Sequence, residues 1–325
     1  MSRSTTKRWL ASAALVALIM SAAACGAGGG PSRSEPSASA ATTPSPSAAP
    51  ASASPIPSLP TAEPTAATVA VAAYFVLQGN LDEPAPLVPV HRDVPNSDAI
   101  ATAAMQALLD GPTEDERAHD LVVGTIGTEI PEGTRLLGID IQAGTATVDL
   151  SSEFATGDLL GSDIESWAGR LAQVTFTLTQ FPTVDGVRFS VEGKPTAIIE
   201  GHEGSPIDRA TRSAYTDQLP GIFIDRPAWG GPISDPLTVT GIAQILAEPA
   251  QFQAALVNRT TDGIILQQTV VAPCASGGCW QPPGGGEFEF QLAIPEGADR
   301  TDLLLRVWAL EPDGGVTSFL QYPLE

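Results

Sequence analysis

Three cysteines and three histidines are among the scarcest reactive side chains in this sequence of 325 residues. Cys25 directly follows Ser21-Ala22-Ala23-Ala24, which closes an apolar stretch from Trp9 to Met20, while Cys274 and Cys279 enclose Ala-Ser-Gly-Gly. The spacing predicts one cysteine with its own fate and a pair. In an exported chain a Cys274–Cys279 disulfide is the economical reading; it constrains a small loop and contributes about 2 kcal/mol in the chain-entropy picture. Zinc at the pair would need two more soft or imidazole ligands, and no His follows His202. A free-thiol assay on the denatured mature protein is expected to find both cysteines blocked. Two free thiols without reductant would contradict the pairing.

His91, His119 and His202 lie among polar residues with no nucleophile motif nearby. The chain has no G-x-S-x-G, no H-E-x-x-H, no Walker loop and no dinucleotide fingerprint. His202-Glu203 with Asp208 makes a metal corner only on a rigid support, and the surrounding Gly and Ser do not provide one. Asp140 and Asp149 are placed to face each other across a hairpin, but with 37 acidic residues such pairs arise from a solvated face. Asp149 is expected to organise the turn into Ser151-Ser152. Trp229 and Trp280, in Gly/Pro-rich loops, would either stack on sugars of a wall polymer or pack over a sheet edge. Asn258-Arg259-Thr260 matches a glycosylation sequon. No catalytic residue, metal or cofactor is assigned, and a non-enzymatic chain is expected.

The surroundings of Cys25 say where the chain works. A basic start and an apolar run too short for a comfortable bilayer span read as an export signal over residues 1–24. Small residues before Cys25 and Gly26 after it resemble the lipobox of bacterial lipoproteins, which implies lipid on Cys25 and a membrane anchor outside the cytoplasmic membrane. Ala22 stands where that box usually has Leu, so plain cleavage without lipid, or an uncleaved signal anchor, stays open. Residues 25–66 are Gly, Ser, Pro, Ala and Thr with almost no large apolar side chains, the composition of a disordered tether. Its reach is between roughly 35 Å as a coil and roughly 120 Å as a polyproline rod. The formal charge of −21 leaves no basic patch for nucleic acid and disfavours adhesion to an anionic membrane surface.

Order is expected from Thr68. An apolar run to Leu77 predicts a strand buried on both faces, and Leu87–Val94 a second. Pro95-Asn96-Ser97 opens a helix carrying Ile100, Ala104, Ala107 and Leu108, which Gly111-Pro112 stops. After an acidic loop, Leu137, Ile139 and Ile141 point one way in a strand that Gln142-Ala143-Gly144 returns into Thr145–Leu150. Ser162 and Glu165 stand in capping-box register for a helix whose Ile164, Trp167, Leu171, Val174, Leu178 and Phe181 form one stripe, ended by Pro182. Val187, Phe189 and Val191 then alternate in a closing strand. These elements predict an α+β domain over residues 67–200, with two main helices packed on a sheet face.

The set Gly111-Pro112, Ile130-Pro131-x-Gly133-Thr134, Gly144-x-Ala146-x-Val148-Asp149-Leu150-Ser151, Thr177-Leu178-x-Gln180-Phe181 and Val191-Glu192-Gly193 resembles the GerMN domain of sporulation and spore-germination proteins. The resemblance implies an exported or lipid-anchored protein without catalytic activity. The best-known germination member has two such domains in tandem and this chain has one, so a role that depends on the tandem does not carry over.

Residues 201–218 lack periodicity and read as a polar linker. In residues 219–325, seven short candidate strands between Gly, Pro and Asp turns predict an all-β sandwich. Ser234-Asp235-Pro236-Leu237-Thr238-Val239-Thr240-Gly241, Phe252-x-Ala254-x-Leu256 and Asp313-Gly314 resemble the immunoglobulin-like domain that accompanies GerMN. The expected whole is a cell-envelope lipoprotein presenting both domains to envelope proteins or cell-wall polymer. A glycan- or peptidoglycan-binding module and an envelope hydrolase are the alternatives.

Overall fold

The computed structural model describes residues 67–79, 85–118, 124–157, 164–196, 198–200, 205–245, 249–274, 286–300, 302–310 and 315–325. The signal, Cys25, the tether, Ser162, His119, His202, Glu203, Cys279 and Trp280 lie outside them.

Strand β1 (Thr68–Gln78) runs antiparallel to β2 (Leu87–Pro95) along one edge. The short β3 (Thr125–Gly127) covers only the last residues of its other edge. Helix α1 (Ile100–Leu109) buries Ala101, Ala104, Met105 and Leu108 and stops at Gly111, whose φ of +78° is a left-handed cap that glycine adopts without strain. The segment read as an acidic loop contains a short helix, α2 (Glu114–Ala118). It is held because the Glu116 carboxylate accepts two bonds from Arg92, at 2.6 and 2.8 Å, and the Thr113 amide at 2.8 Å.

A second sheet is built from β4 (Leu136–Gln142), β5 (Thr145–Leu150), β6 (Gly186–Val191) and the two-residue β7 (Lys194–Pro195), in that order. The β4–β5 turn places Ala143 and Gly144 at positive φ, and β5 pairs parallel with β6 through a crossover over helix α3 (Ile164–Leu178). Two expectations about β4 fail, the first because of a bulge between Leu136 and Gly138. Leu136, not Leu137, stands opposite buried Leu150, and Leu137 is turned outward at 47 % exposure. The register set by the turn, unbroken from Gln142 to Gly138, places Asp149 opposite Gly138 and Asp140 opposite Thr147, so the two carboxylates do not face each other. Asp149 accepts the Gly193 amide at 2.9 Å across the β6–β7 turn instead of organising Ser151-Ser152.

Helix α3 is buried all round from Trp167 to Leu178, so its apolar stripe is only half of its contact surface. Its polar face completes β1 where β3 does not reach. The Gln180 amide accepts from Ala72 N at 2.8 Å and donates to Ala72 O at 2.7 Å; the Thr177 hydroxyl accepts from Tyr74 N and the Gln173 amide donates to Tyr74 O. These side chains do for a sheet edge what a neighbouring strand would do, so the buried backbone groups of β1 stay paired.

A small hairpin, β8 (Ile198–Glu200) and β9 (Ser205–Ile207), leads to a 3-10 segment, Arg212–Gln218. The sandwich follows. Strands β10 (Ile222–Arg226), β11 (Leu237–Ala243) and β14 (Glu287–Leu292) form one sheet. Strands β13 (Gly263–Ala272), β12 (Ala250–Asn258), β15 (Leu303–Leu310) and β16 (Val316–Leu324) form the other, in the spatial order β13-β12-β15-β16. Phe252 meets Phe288 at 4.9 Å between them.

Glu63–Glu325 is one compact unit, and its main core runs without interruption from Tyr74, Phe176 and Val187 through Tyr215 to Phe223, Phe252 and Tyr322. The stretch expected as a linker is part of that core, with Ala210 and Tyr215 fully buried and Ala210 bridged to Val187. It lacks periodicity because it packs as an irregular segment between two sheets.

Candidate functional site at the seam

The α+β part and the sandwich are joined by a backbone seam and a polar cluster. In the seam, the Trp229 amide donates to Pro89 O at 2.8 Å and the His91 amide to Trp229 O at 2.9 Å. Gly230 N donates to Pro323 O, Ile233 N to Glu325 O and Glu325 N to Gly231 O. The 229–233 segment thereby ties β2 to β16. Trp229 is 8 % exposed and belongs to the core, which removes it as a platform for sugars.

The polar cluster centres on Arg212. Its guanidinium lies 4.7 Å from the centroid of the Phe176 ring and 5.3 Å from that of Tyr74. It donates to Asp225 Oδ1 at 2.9 Å, to Tyr74 Oη at 3.0 Å and to Thr179 Oγ1 at 3.0 Å. Tyr74 Oη in turn donates to Asp225 Oδ1 at 2.5 Å. Burial first, and the Asp225 charge second, push the Tyr74 phenol far above its ordinary range, so it is a fixed donor at neutral pH. Arg212 is held charged by Tyr74 and Asp225 against the opposing effect of burial.

Two clefts flank this cluster. The larger, of about 810 Å³, is bordered by Thr179, Asp185, Thr211, Arg212, Asp225 and Glu289. The smaller, of about 340 Å³, is bordered by Tyr74, His91, Gln180, Pro227 and Ser234. His91 stands 3.6 Å from Asp93, and the Ser234 hydroxyl donates to Pro236 O, so that serine already has a local partner. Arg212 and Asp225 are bound to each other and to Tyr74 and are not set to move a proton on a molecule in either cleft. No group of three or more His, Cys, Asp or Glu side chains among the described residues is placed to hold a metal ion.

Cys274 is disulfide-bonded, and Cys279 lies outside the described residues. Asp208 is described, but the other two members of the imagined metal corner are not. Sequence reasoning missed Arg212, Asp225 and Tyr74 as a unit. The available signal was Asp225 directly after the apolar run Ile222-Phe223-Ile224, a carboxylate that a buried strand carries only with a partner.

Residues 72–197 match the family model described as Germane: sporulation and spore germination. No curated protein matches the chain. Among solved structures, the tandem GerMN domains of the sporulation protein GerM from Bacillus subtilis are 26 % identical, with a TM-score of 0.32 over 44 % of this chain and 46 % of that one. The chain thus spans about half the length of that tandem. The first GerMN domain of the same protein is 26 % identical, with a TM-score of 0.31 over 44 % of this chain and 98 % of that one. Over residues 72–197 the α+β part of this chain is therefore similar to the Germane domain of sporulation and spore-germination proteins.

Proposed function

We propose that the chain is a non-catalytic lipoprotein of the bacterial cell envelope, anchored through Cys25, that holds its Germane domain and immunoglobulin-like sandwich out on a tether to bind envelope proteins or wall polymer. The observation that carries this is what the family-like motif residues do. Gln180 and Thr177 complete β1, the Ser151 hydroxyl accepts the Arg135 amide at 2.9 Å, Asp149 accepts Gly193 N, and Thr134 Oγ1 donates to Pro131 O. Each is engaged in building the fold, and none presents a free nucleophile or base. The partly buried ionic cluster at Arg212 likewise holds the two parts together. The bonded state of Cys274 supports the Cys274–Cys279 loop and an oxidising location.

The anchor is tested by radiolabelled palmitate. Label on the wild-type chain that disappears in Cys25→Ser is the expected result, with the variant released from the membrane fraction. Label that persists in Cys25→Ser overturns the anchor.

A further inference from the structure

Exposed sheet edges are ordinarily protected by charge, proline, shortness or a covering segment, because unpaired strand amides and carbonyls recruit other strands. Most edges of this protein follow that rule. Strand β2 carries Arg92, Asp93 and two prolines and is covered by Trp229; β3 has only three residues. Strand β4 is bulged and carries Asp140, and β7 is Lys194-Pro195. Strand β10 carries Asp225 and Arg226, β14 carries Glu287 and Glu289, and β16 contains Pro323 and is tied to Gly231. Strand β13 is the exception. It has ten residues, Gly-Ile-Ile-Leu-Gln-Gln-Thr-Val-Val-Ala, without a charge or a proline, and no described strand pairs with its outer edge. It also carries two of the most exposed large apolar side chains, Ile264 at 53 % and Val271 at 60 %.

We infer that β13 is a self-association edge, on which a second copy of this chain pairs antiparallel about a two-fold axis at Gln268. In that register Leu266 lies opposite Val270 of the other copy, Gln267 opposite Thr269, and Gln268 opposite itself. Leu266 and Val270 face the sandwich interior within each copy, with Leu266 in register with Leu256 and Val270 with Phe252. The apolar rows therefore continue across the axis, and the polar Gln267 and Thr269 stay together on the other face. Within one copy Gln267 already donates to Gln253, which donates to Thr269, so an amide and hydroxyl ladder is the natural pairing on that face. The two four-stranded sheets become one continuous sheet.

Charge favours a second copy at this place. With a net charge of −21 two copies repel one another, and a strand without any charged residue lets their backbones meet with least repulsion. The chain's own residues 26–66 are a poor occupant, because proline recurs every few residues and cannot donate to a ladder. This inference is independent of the anchor and of the envelope assignment, and its failure would leave both standing.

The test uses the full chain bearing Cys25→Ser, so that it stays in solution. Sedimentation velocity is expected to show a dimer. Gln267→Lys with Thr269→Lys brings lysines opposite one another across the axis and should weaken the dimer by about 100-fold with the thermal midpoint of the monomer preserved. Directly opposed strand residues have Cα atoms about 4.5–5.5 Å apart, within reach of a disulfide, so Gln268→Cys should form a symmetric crosslink on mild oxidation. A chain that is monomeric at every concentration overturns the inference, including the case where the true occupant is a foreign peptide. A dimer that ignores the two lysines, or that never crosslinks at position 268, overturns the β13 pairing.

Discussion

Arg212→Ala is expected to destabilise the folded unit by about 3 kcal/mol, the low end for breaking a buried ion pair, because the pair is a quarter open to solvent. The Arg212 and Asp225 side chains are 27 % and 24 % exposed. Removing Arg212 deletes its bonds to Asp225, Tyr74 and Thr179 and the stacking on Phe176, and leaves Asp225 with Tyr74 but without its counter-charge. Arg212→Lys should recover little, since an ammonium cannot fork between Asp225, Tyr74 and Thr179 while lying over an aromatic face. Asp225→Asn should cost less, because an amide oxygen still accepts from both Tyr74 and Arg212. Urea unfolding of the single variants and of the pair gives the coupling energy directly. Because Arg212 bridges the C-terminal end of α3 and β10, wild type should unfold in one transition and Arg212→Ala should loosen the seam first. A loss below about 1 kcal/mol would mean that the cluster is effectively solvated and does not hold the two parts together.

Elements were legible where one periodicity governed them. Among the strands expected in residues 219–325, Leu237–Ala243 is observed with strictly alternating burial, a pattern that a sandwich writes directly into the sequence. The stripe of α3 was equally clear, but the stripe implied a helix against one sheet. Gln173, Thr177 and Gln180 look like an exposed face by composition, and only their pairing with the β1 backbone makes them interior. A bulge is invisible to alternation, so Leu137 was assigned to the wrong side of β4, while the register that the turn imposes sets Asp140 against Thr147 and not against Asp149.

The candidate site was less legible than the fold for a similar reason. Tyr74 is separated from Arg212 and Asp225 by more than a hundred residues of chain, and the three meet only when 209–219 is laid across the end of α3. A segment without periodicity carries no local sign that it is buried, although Tyr215, Gln218 and Leu219 within it are all buried. Trp229 shows the converse. Gly and Pro around it suggested an exposed loop, yet the same residues let the backbone approach β2 and β16 closely enough to bond to both.

Alkaline pH provides the second large effect, because two tyrosines are held protonated by the fold. Burial is the main cause for both Tyr74 and Tyr322, and the charge on Asp225 raises both further. In the unfolded chain these phenols ionise near pH 10. Above that pH the unfolded state has released protons that the native state keeps, so stability falls as pH rises; below it the contribution is fully present. Each tyrosine adds a slope of about 1.4 kcal/mol per pH unit, and the two together about 2.7 kcal/mol per unit above pH 10. Urea midpoints measured from about pH 9 to about pH 11 should therefore drop steeply. Tyr74→Phe and Tyr322→Phe should each flatten the dependence by half of the two-tyrosine slope. Phenolate absorbance of these two residues should rise only with unfolding. Titration near pH 10 with the circular dichroism of the folded protein intact would show that the phenols are open to solvent, and that the core does not run unbroken from β1 to β16.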